Sequence, residues 1–400
     1  MMLLLLIGAS AFPRLALYTP VTNISEYARF DLALEALSDS MRPPREVAGA
    51  TAAYERTFAG VSLKTMQARS IPHSAVYGPN WADYFVAAAI SGSSPFEGWE
   101  DDALRELATK GAAYANTLFY VLYLLEEGVV ECENTWDRAW AYFAGSREGE
   151  TGDGSGFSAY ALGDKRCPQF GTCEGSRARN NELARLAWEK GRDGILKGDC
   201  LAAYDQLRVI KPQLIVPLIQ GALREAYEVD PEGGAEGADG TIEVAEGWAF
   251  VYPLLPLVYA CDSNQAQVIY RNMFINADPI LEDGYEAVKD AFESVYDCLN
   301  VTCYDVGAMQ TCGDENKNLP CWDPCSDSGD DDDHKSDSKK KSARVVAIVV
   351  VGVAGWLFAL FLVVLVNCQR RLSTSSHPSH VDFASSELIK MGEEKGEAVA

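Results

Sequence analysis

Val345 to Val366 is an unbroken run without a charged side chain. About twenty such residues in helical form cross the hydrocarbon core of a bilayer. That run predicts one C-terminal transmembrane helix and divides the chain into a large body before it and a short tail, 367–400, after it. Basic residues flank it on both sides, Lys339, Lys340, Lys341 and Arg344 before it and Arg370 and Arg371 beyond, so the positive-inside rule gives no orientation. The opening Met-Met-Leu-Leu-Leu-Leu-Ile-Gly-Ala-Ser-Ala-Phe is too short to span and carries small residues at Ala9 and Ala11. It reads as a signal peptide over 1–11 with cleavage near Ala11, which places the body outside and the tail inside.

Ten of the eleven cysteines precede the span, at Cys132, Cys167, Cys173, Cys200, Cys261, Cys298, Cys303, Cys312, Cys321 and Cys325. An even number in an exported segment predicts about five disulfides, with connectivity left open. Zinc held by paired cysteines is the weaker reading in that compartment. Cys368 lies just past the span beside two arginines, a setting for palmitoylation or for an idle thiol. Asn23-Ile-Ser25 and Asn300-Val-Thr302 are glycosylation sequons.

The expected ectodomain, 12–325, is all-α. Apolar residues recur at three- and four-residue spacing from Ile24 to about Met309, and strand-like alternation is rare. Helices are expected at Asp31 to Met41, Arg45 to Phe58, Asp101 to Glu127, Trp136 to Ala144, Asn181 to Ile195, Pro212 to Val229, Ile242 to Ala260 and Leu281 to Leu299. Leu118 to Val129 aligns faintly with Leu218 to Val229, and Trp140-Ala-Tyr142 with Trp248-Ala-Phe250. This suggests a duplicated helical bundle with lobes at about 24–145 and 146–309; chance likeness between amphipathic helix pairs is the alternative. A Cys-rich stretch, 298–325, closes the body. Ser326 to Lys341 has no apolar residue and reads as a solvated stalk.

The formal charge of −24 repels phosphate backbones, so nucleic acid is not an expected partner. No phosphate loop, dinucleotide fingerprint, His-Glu-x-x-His site or Gly-x-Ser-x-Gly elbow occurs, and the chain is not expected to be an enzyme. Of four histidines, only His73 lies in the expected folded region, which excludes a multi-His metal centre. Carboxylates and 18 tyrosines supply the oxygen donors that hard ions such as ferric iron prefer.

Cys-Pro-Gln-Phe-Gly-Thr-Cys at Cys167–Cys173, Val-Pro-Leu-Ile-Gln-Gly-Ala-Leu-Arg at Val216–Arg224, Ala-Glu-Gly-Trp-Ala-Phe at Ala245–Phe250 and Cys-Leu-Asn-Val-Thr-Cys-Tyr-Asp-Val-Gly at Cys298–Gly307 resemble the algal iron-assimilating family, the phytotransferrins. The likeness runs in order from about Trp136 to Gly307. The signal peptide, ectodomain and single span are similar to the membrane-anchored, diatom-type members. The resemblance implies a plasma-membrane protein that binds ferric iron with carbonate, enters endosomes by endocytosis and releases iron on acidification. It also implies an endocytic adaptor and a downstream ferric reductase as partners.

Such a site needs two anionic oxygen ligands plus carbonate to neutralise three positive charges. Ile71 to Tyr84 places His73, Tyr77, Asp83 and Tyr84 within a Pro- and Gly-broken stretch read as a loop, the first-choice ligand cluster. The suspected duplication offers a second set, Glu127 with Tyr227 and Glu246 opposite Arg138. Arg138 or Arg224 would hold the carbonate through a bidentate guanidinium contact. Each of these charges is also readable as a solvated helix face. The tail carries no clear sorting signal. Ala9-Ser-Ala-Phe12 resembles a plastid preprotein cleavage site, the alternative destination. The alternative function is a surface receptor or adhesion module on the same scaffold without a metal site, and a metallopeptidase is a third reading.

Overall fold

The structure, a computed structural model, describes residues 12–66, 71–131, 135–230 and 240–309. The chain divides into two units, Met1–Pro324 and Cys325–Ala400, and every described residue belongs to the first. The expected signal peptide, stalk, transmembrane helix and tail, with Cys132, Cys312, Cys321, Cys325 and Cys368, lie outside the described residues.

The first half contains α1 (Ser25–Ala28), α2 (Asp31–Ser40), α3 (Val47–Glu55), a two-residue hairpin of β1 (Thr57–Phe58) and β2 (Val61–Ser62), α4 (Ile71–Tyr77), α5 (Trp81–Ser91), α6 (Asp101–Lys110), α7 (Leu118–Glu131) and α8 (Thr135–Ala144). The second contains α9 (Ala159–Phe170), a hairpin of β3 (Cys173–Glu174) and β4 (Arg177–Ala178), α10 (Arg179–Leu196), α11 (Cys200–Glu228), α12 (Thr241–Cys261), α13 (Ser263–Met273), α14 (Gly284–Glu293), α15 (Tyr296–Leu299) and α16 (Cys303–Val306). The body is mostly helical, as the periodicity predicts. Each half carries one short antiparallel hairpin between helices, β1–β2 after α3 and β3–β4 after α9.

Local chemistry sets the ends of these helices. Asp101 and Asp102 open α6 and Lys110 closes it, each charge complementing the helix dipole at its end. Ser158 caps α9 by accepting from Ala161 N, and Asp262 caps α13 by accepting from Asn264 N and Gln265 N. Gly92 ends α5 at φ +66°, a left-handed conformation that favours glycine. Between α6 and α7 the helix widens into a π-turn at Gly111–Thr117 without breaking.

The stretch read as a loop at 71–84 is instead α4 and the start of α5. Pro72 falls in the first turn of α4, where a missing N–H costs nothing, and Gly78 at φ +88° supplies the bend between the two helices. Arg45 to Phe58 shortens to α3 because the chain turns into the β1–β2 hairpin. Leu281 to Leu299 divides into α14 and α15.

The core is continuous through both halves and is rich in large aromatics; Trp81, Trp136, Trp140 and Trp188 are all buried. Trp136 Nε1 donates to Trp188 O at 2.9 Å and Trp188 Nε1 returns a bond to Trp136 O at 3.1 Å, joining α8 to α10. Burying indoles this way keeps their one polar atom satisfied. Gly221 brings α11 against Phe250 of α12; a Cβ there would lie 2.8 Å from the ring. Of the described helices, α12 alone is long and apolar enough to cross a membrane, yet it is mostly buried inside the body, as a core helix is. Two disulfides are defined: Cys167–Cys173 ties α9 to β3, and Cys261–Cys298 ties the end of α12 to α15. Cys200 and Cys303 are disulfide-bonded too.

Candidate functional site

Residues Tyr120, Tyr123 and Glu127 stand three and four positions apart on α7, so they share one face. Arg138 and Tyr142 stand four apart on α8. The helices pack as an antiparallel pair and α1 lies against α8, which brings Tyr27 into the same group. The rings form a connected set: Tyr27 to Tyr142 at 6.0 Å, Tyr142 to Tyr120 at 5.5 Å, Tyr120 to Tyr123 at 6.0 Å between centroids. Tyr123 OH donates to the Glu127 carboxylate. Arg138 Cζ lies 5.7 Å from the Tyr27 ring centroid, a cation–π distance.

Two polar atoms in this group are buried without a hydrogen-bond partner among the described residues, Tyr142 OH and Arg138 Nε. Burial pushes the Tyr142 phenol well above its ordinary pKa; Tyr120 and Tyr27 add to the rise and Arg138 opposes it. The phenol is therefore neutral at physiological pH and ionises only when something stronger than water takes the place of its proton. Phenols and carboxylates are oxygen donors of the kind hard cations prefer, and a guanidinium suits an anion. Among the described residues no three His, Cys, Asp or Glu side chains stand close enough to share a metal ion.

The sequence-predicted residues are distributed as follows. Glu127 and Arg138 come together in the group above. His73 is buried in an aromatic stack, 4.5 Å from Trp81 and 4.4 Å from Phe119 between centroids, and its Nε2 donates to Pro253 O at 2.7 Å. Burial lowers its pKa to about 4, against the upward pull of that carbonyl. Tyr77 stacks on Tyr252 at 4.3 Å and donates to Tyr252 O at 3.1 Å. Asp83 accepts from Tyr54 OH at 3.1 Å instead, and exposed Tyr84 donates to Ser94 O at 3.3 Å. The first-choice four thus face different partners: His73 and Tyr77 face the core, Asp83 faces α3 and Tyr84 the surface.

In the second half Tyr227 meets Tyr285 edge-on at 5.5 Å, and Arg224 Nε donates to Glu228 at 2.7 Å. Glu246 pairs with Lys110 at 2.9 Å. Arg224 is thereby committed to a carboxylate, whereas Arg138 makes no ion pair among the described residues. Asn23 and Asn300 are both exposed, as a glycosylated side chain must be.

Tyr27, Tyr120, Tyr123 and Tyr142 were not singled out by sequence reasoning. Tyr120-x-x-Tyr123-x-x-x-Glu127 and Arg138-x-x-x-Tyr142 are one-face spacings visible in the chain, and they were the available signal. No family model, curated protein or solved structure matches the chain.

Proposed function

We propose that the protein is a membrane-anchored ferric iron binder in which Tyr120, Tyr123, Tyr142 and Glu127, with Tyr27 at the margin, take the cation and Arg138 holds a co-bound carbonate. The observation that carries the reading is the gathering of four tyrosine rings, the Glu127 carboxylate and Arg138 from three helices, with the Tyr142 hydroxyl and Arg138 Nε buried and without a partner among the described residues. Buried polar groups without partners are rare and ask for an explanation; a ligand is one. The resemblance of the Cys167–Cys173 and Val216–Arg224 motifs to phytotransferrins points to the same cargo. Two phenolates, a carboxylate and carbonate more than offset three positive charges, so protonation on acidification loosens the cage. In this reading 345–366 anchors the body at the cell surface, the protein is internalised and empties in an acidic vesicle.

The test is titration of the detergent-solubilised full chain with ferric ion at neutral pH, with and without bicarbonate. A visible phenolate-to-iron charge-transfer band that needs bicarbonate, and that disappears when Tyr123 and Tyr142 are both replaced by Phe, is expected. A folded protein that stays colourless, or a band indifferent to the double replacement, overturns the assignment.

A further inference from the structure

Away from the tyrosine group, a cavity of about 590 Å³ lies between α6, its π-turn, α9 and the start of α12. That volume is within the roughly 300–1,000 Å³ of small-molecule sites. One wall is the helix face carrying Glu106, Thr109, Lys110, Ala113 and Tyr114; the facing wall is the α9 stripe Ser158, Ala161, Leu162 and Lys165. Both stripes run at three- and four-residue spacing. The π-turn begins between Lys110 and Tyr114, and such turns occur frequently at functional sites.

Most of the charge in this cavity is internally answered. Lys110 takes both Glu106 and Glu246. Arg105 bonds Ser38 Oγ at 3.2 Å and approaches Glu106 at 3.7 Å. Asp164 accepts from Ala178 N at 2.8 Å and Asn181 Nδ2 at 3.1 Å. Among what remains are one cation and two hydroxyls on the helix walls. Lys165, an exposed residue at the cavity's mouth, makes no ion pair among the described residues. Thr109 Oγ1 is buried, its residue 7% exposed, and has no partner among them. Tyr114, also 7% exposed, lines the cavity with no hydrogen bond from its hydroxyl among them.

We infer that this cavity binds a small organic carboxylic acid with an apolar body, its carboxylate on Lys165 and within reach of the Thr109 and Tyr114 hydroxyls. The unanswered cation matches one negative charge, and three donors suit the lone pairs of one carboxylate. A phosphate would bring up to two charges towards Glu106, Glu246 and Asp164 with a single uncommitted cation to meet them. Ala113, Ala161, Leu162 and Phe157 offer the apolar contact that orients the remainder. Desolvation lowers the Lys165 pKa, and Arg166 and Lys110 lower it further while Glu246 opposes them; an anion bound beside the ammonium would counter that pull. This site shares no residue with the proposed iron ligands, so the two readings stand or fall separately.

Equilibrium dialysis of the full chain in detergent tests it, with 3-phenylpropionate, its neutral amide 3-phenylpropionamide and inorganic phosphate as probes. Saturable binding of one acid per chain is expected, with the amide bound at least about tenfold more weakly. Lys165→Met should weaken the acid about tenfold and Thr109→Val several-fold, at unchanged melting temperature. Lys165 is exposed, so its replacement leaves the fold intact; Lys165→Arg should retain the acid. Absence of acid binding, equal binding of acid and amide, an unaffected Lys165→Met, or tighter phosphate than acid each overturns the proposal.

Discussion

A buried hydroxyl without a partner is a cost to the fold, and Tyr142, 1% exposed, carries one with none among the described residues. Its ring is held by Tyr27, Phe30 and Tyr120, contacts that a phenylalanine keeps. Tyr142→Phe is therefore expected to leave stability unchanged or raise it by about 1–2 kcal/mol, because an unsatisfied polar atom is removed without opening a cavity. The same change should weaken ferric iron by at least about tenfold. Urea unfolding and iron titration read the two effects on one sample. A loss of more than about 1 kcal/mol would mean that the hydroxyl has a structural partner, and its role as a ligand would go with it. His73 poses the opposite case: its Nε2 already serves Pro253 O and its ring fills the space between Trp81 and Phe119. Replacing it should disturb the core and leave the iron band in place.

Among the elements, the π-turn at Gly111–Thr117 sets both sides of the long helix at once. On the core side Asn116 Nδ2 donates to Tyr54 OH at 2.7 Å and Leu63 O at 3.0 Å, and Thr117 Oγ1 donates to Ala112 O at 2.9 Å. Gly111 lets α5 approach; a Cβ would lie 2.6 Å from Phe85 Cδ1. Gly111→Ala is expected to cost about 1–3 kcal/mol as an overpacked contact, despite alanine's higher helix propensity, in chemical denaturation. A neutral result would show that Phe85 can move aside. None of this was legible in the sequence, where 101–127 reads as a plain amphipathic helix. The helices themselves were legible, because their apolar spacing reports burial directly. At α4 and α5 the reading failed, since Pro72, Gly78 and Pro79 look like loop residues until one sees Pro72 in a first turn and Asn80 before α5. The tyrosines failed for a different reason. Spacing puts Tyr120, Tyr123 and Glu127 on one face, but only tertiary packing sets Tyr27 and Tyr142 against them.

At the scale of the whole molecule, a cage that opens in acid requires a body that does not unfold there. Three buried groups bear on this, His73 in one direction and Glu148 and Glu225 in the other; burial raises Glu225 to about 7 against the pull of Arg166 at 2.7 Å. Burial raises the Glu148 carboxyl to about 7, against the bond it accepts from Gly156 N at 3.2 Å. Between an unfolded value near 4.5 and that folded value, the folded chain holds a proton the unfolded chain has released, so stability rises as pH falls through this window. His73 has its folded value lowered to about 4. Between 6.5 and 4 the unfolded chain holds the extra proton, so stability falls as pH drops. Over pH 6.5 to 4.5 His73 offsets one of the two glutamates and the other is left over, while buried Asp31 and part-buried Asp164, whose carboxyls burial also raises, act in the same direction as the glutamates. The wild-type melting temperature, followed by tryptophan fluorescence without iron, should hold or rise as pH falls across that range. Glu148→Gln removes one glutamate, so its change in melting temperature from pH 6.5 to 4.5 should be roughly 5 °C less favourable than that of the wild type. A wild-type curve that falls across the interval would mean that iron leaves through unfolding of the body. A level or rising wild-type curve, with loss of the charge-transfer band in the same interval, assigns release to protonation of the ligands.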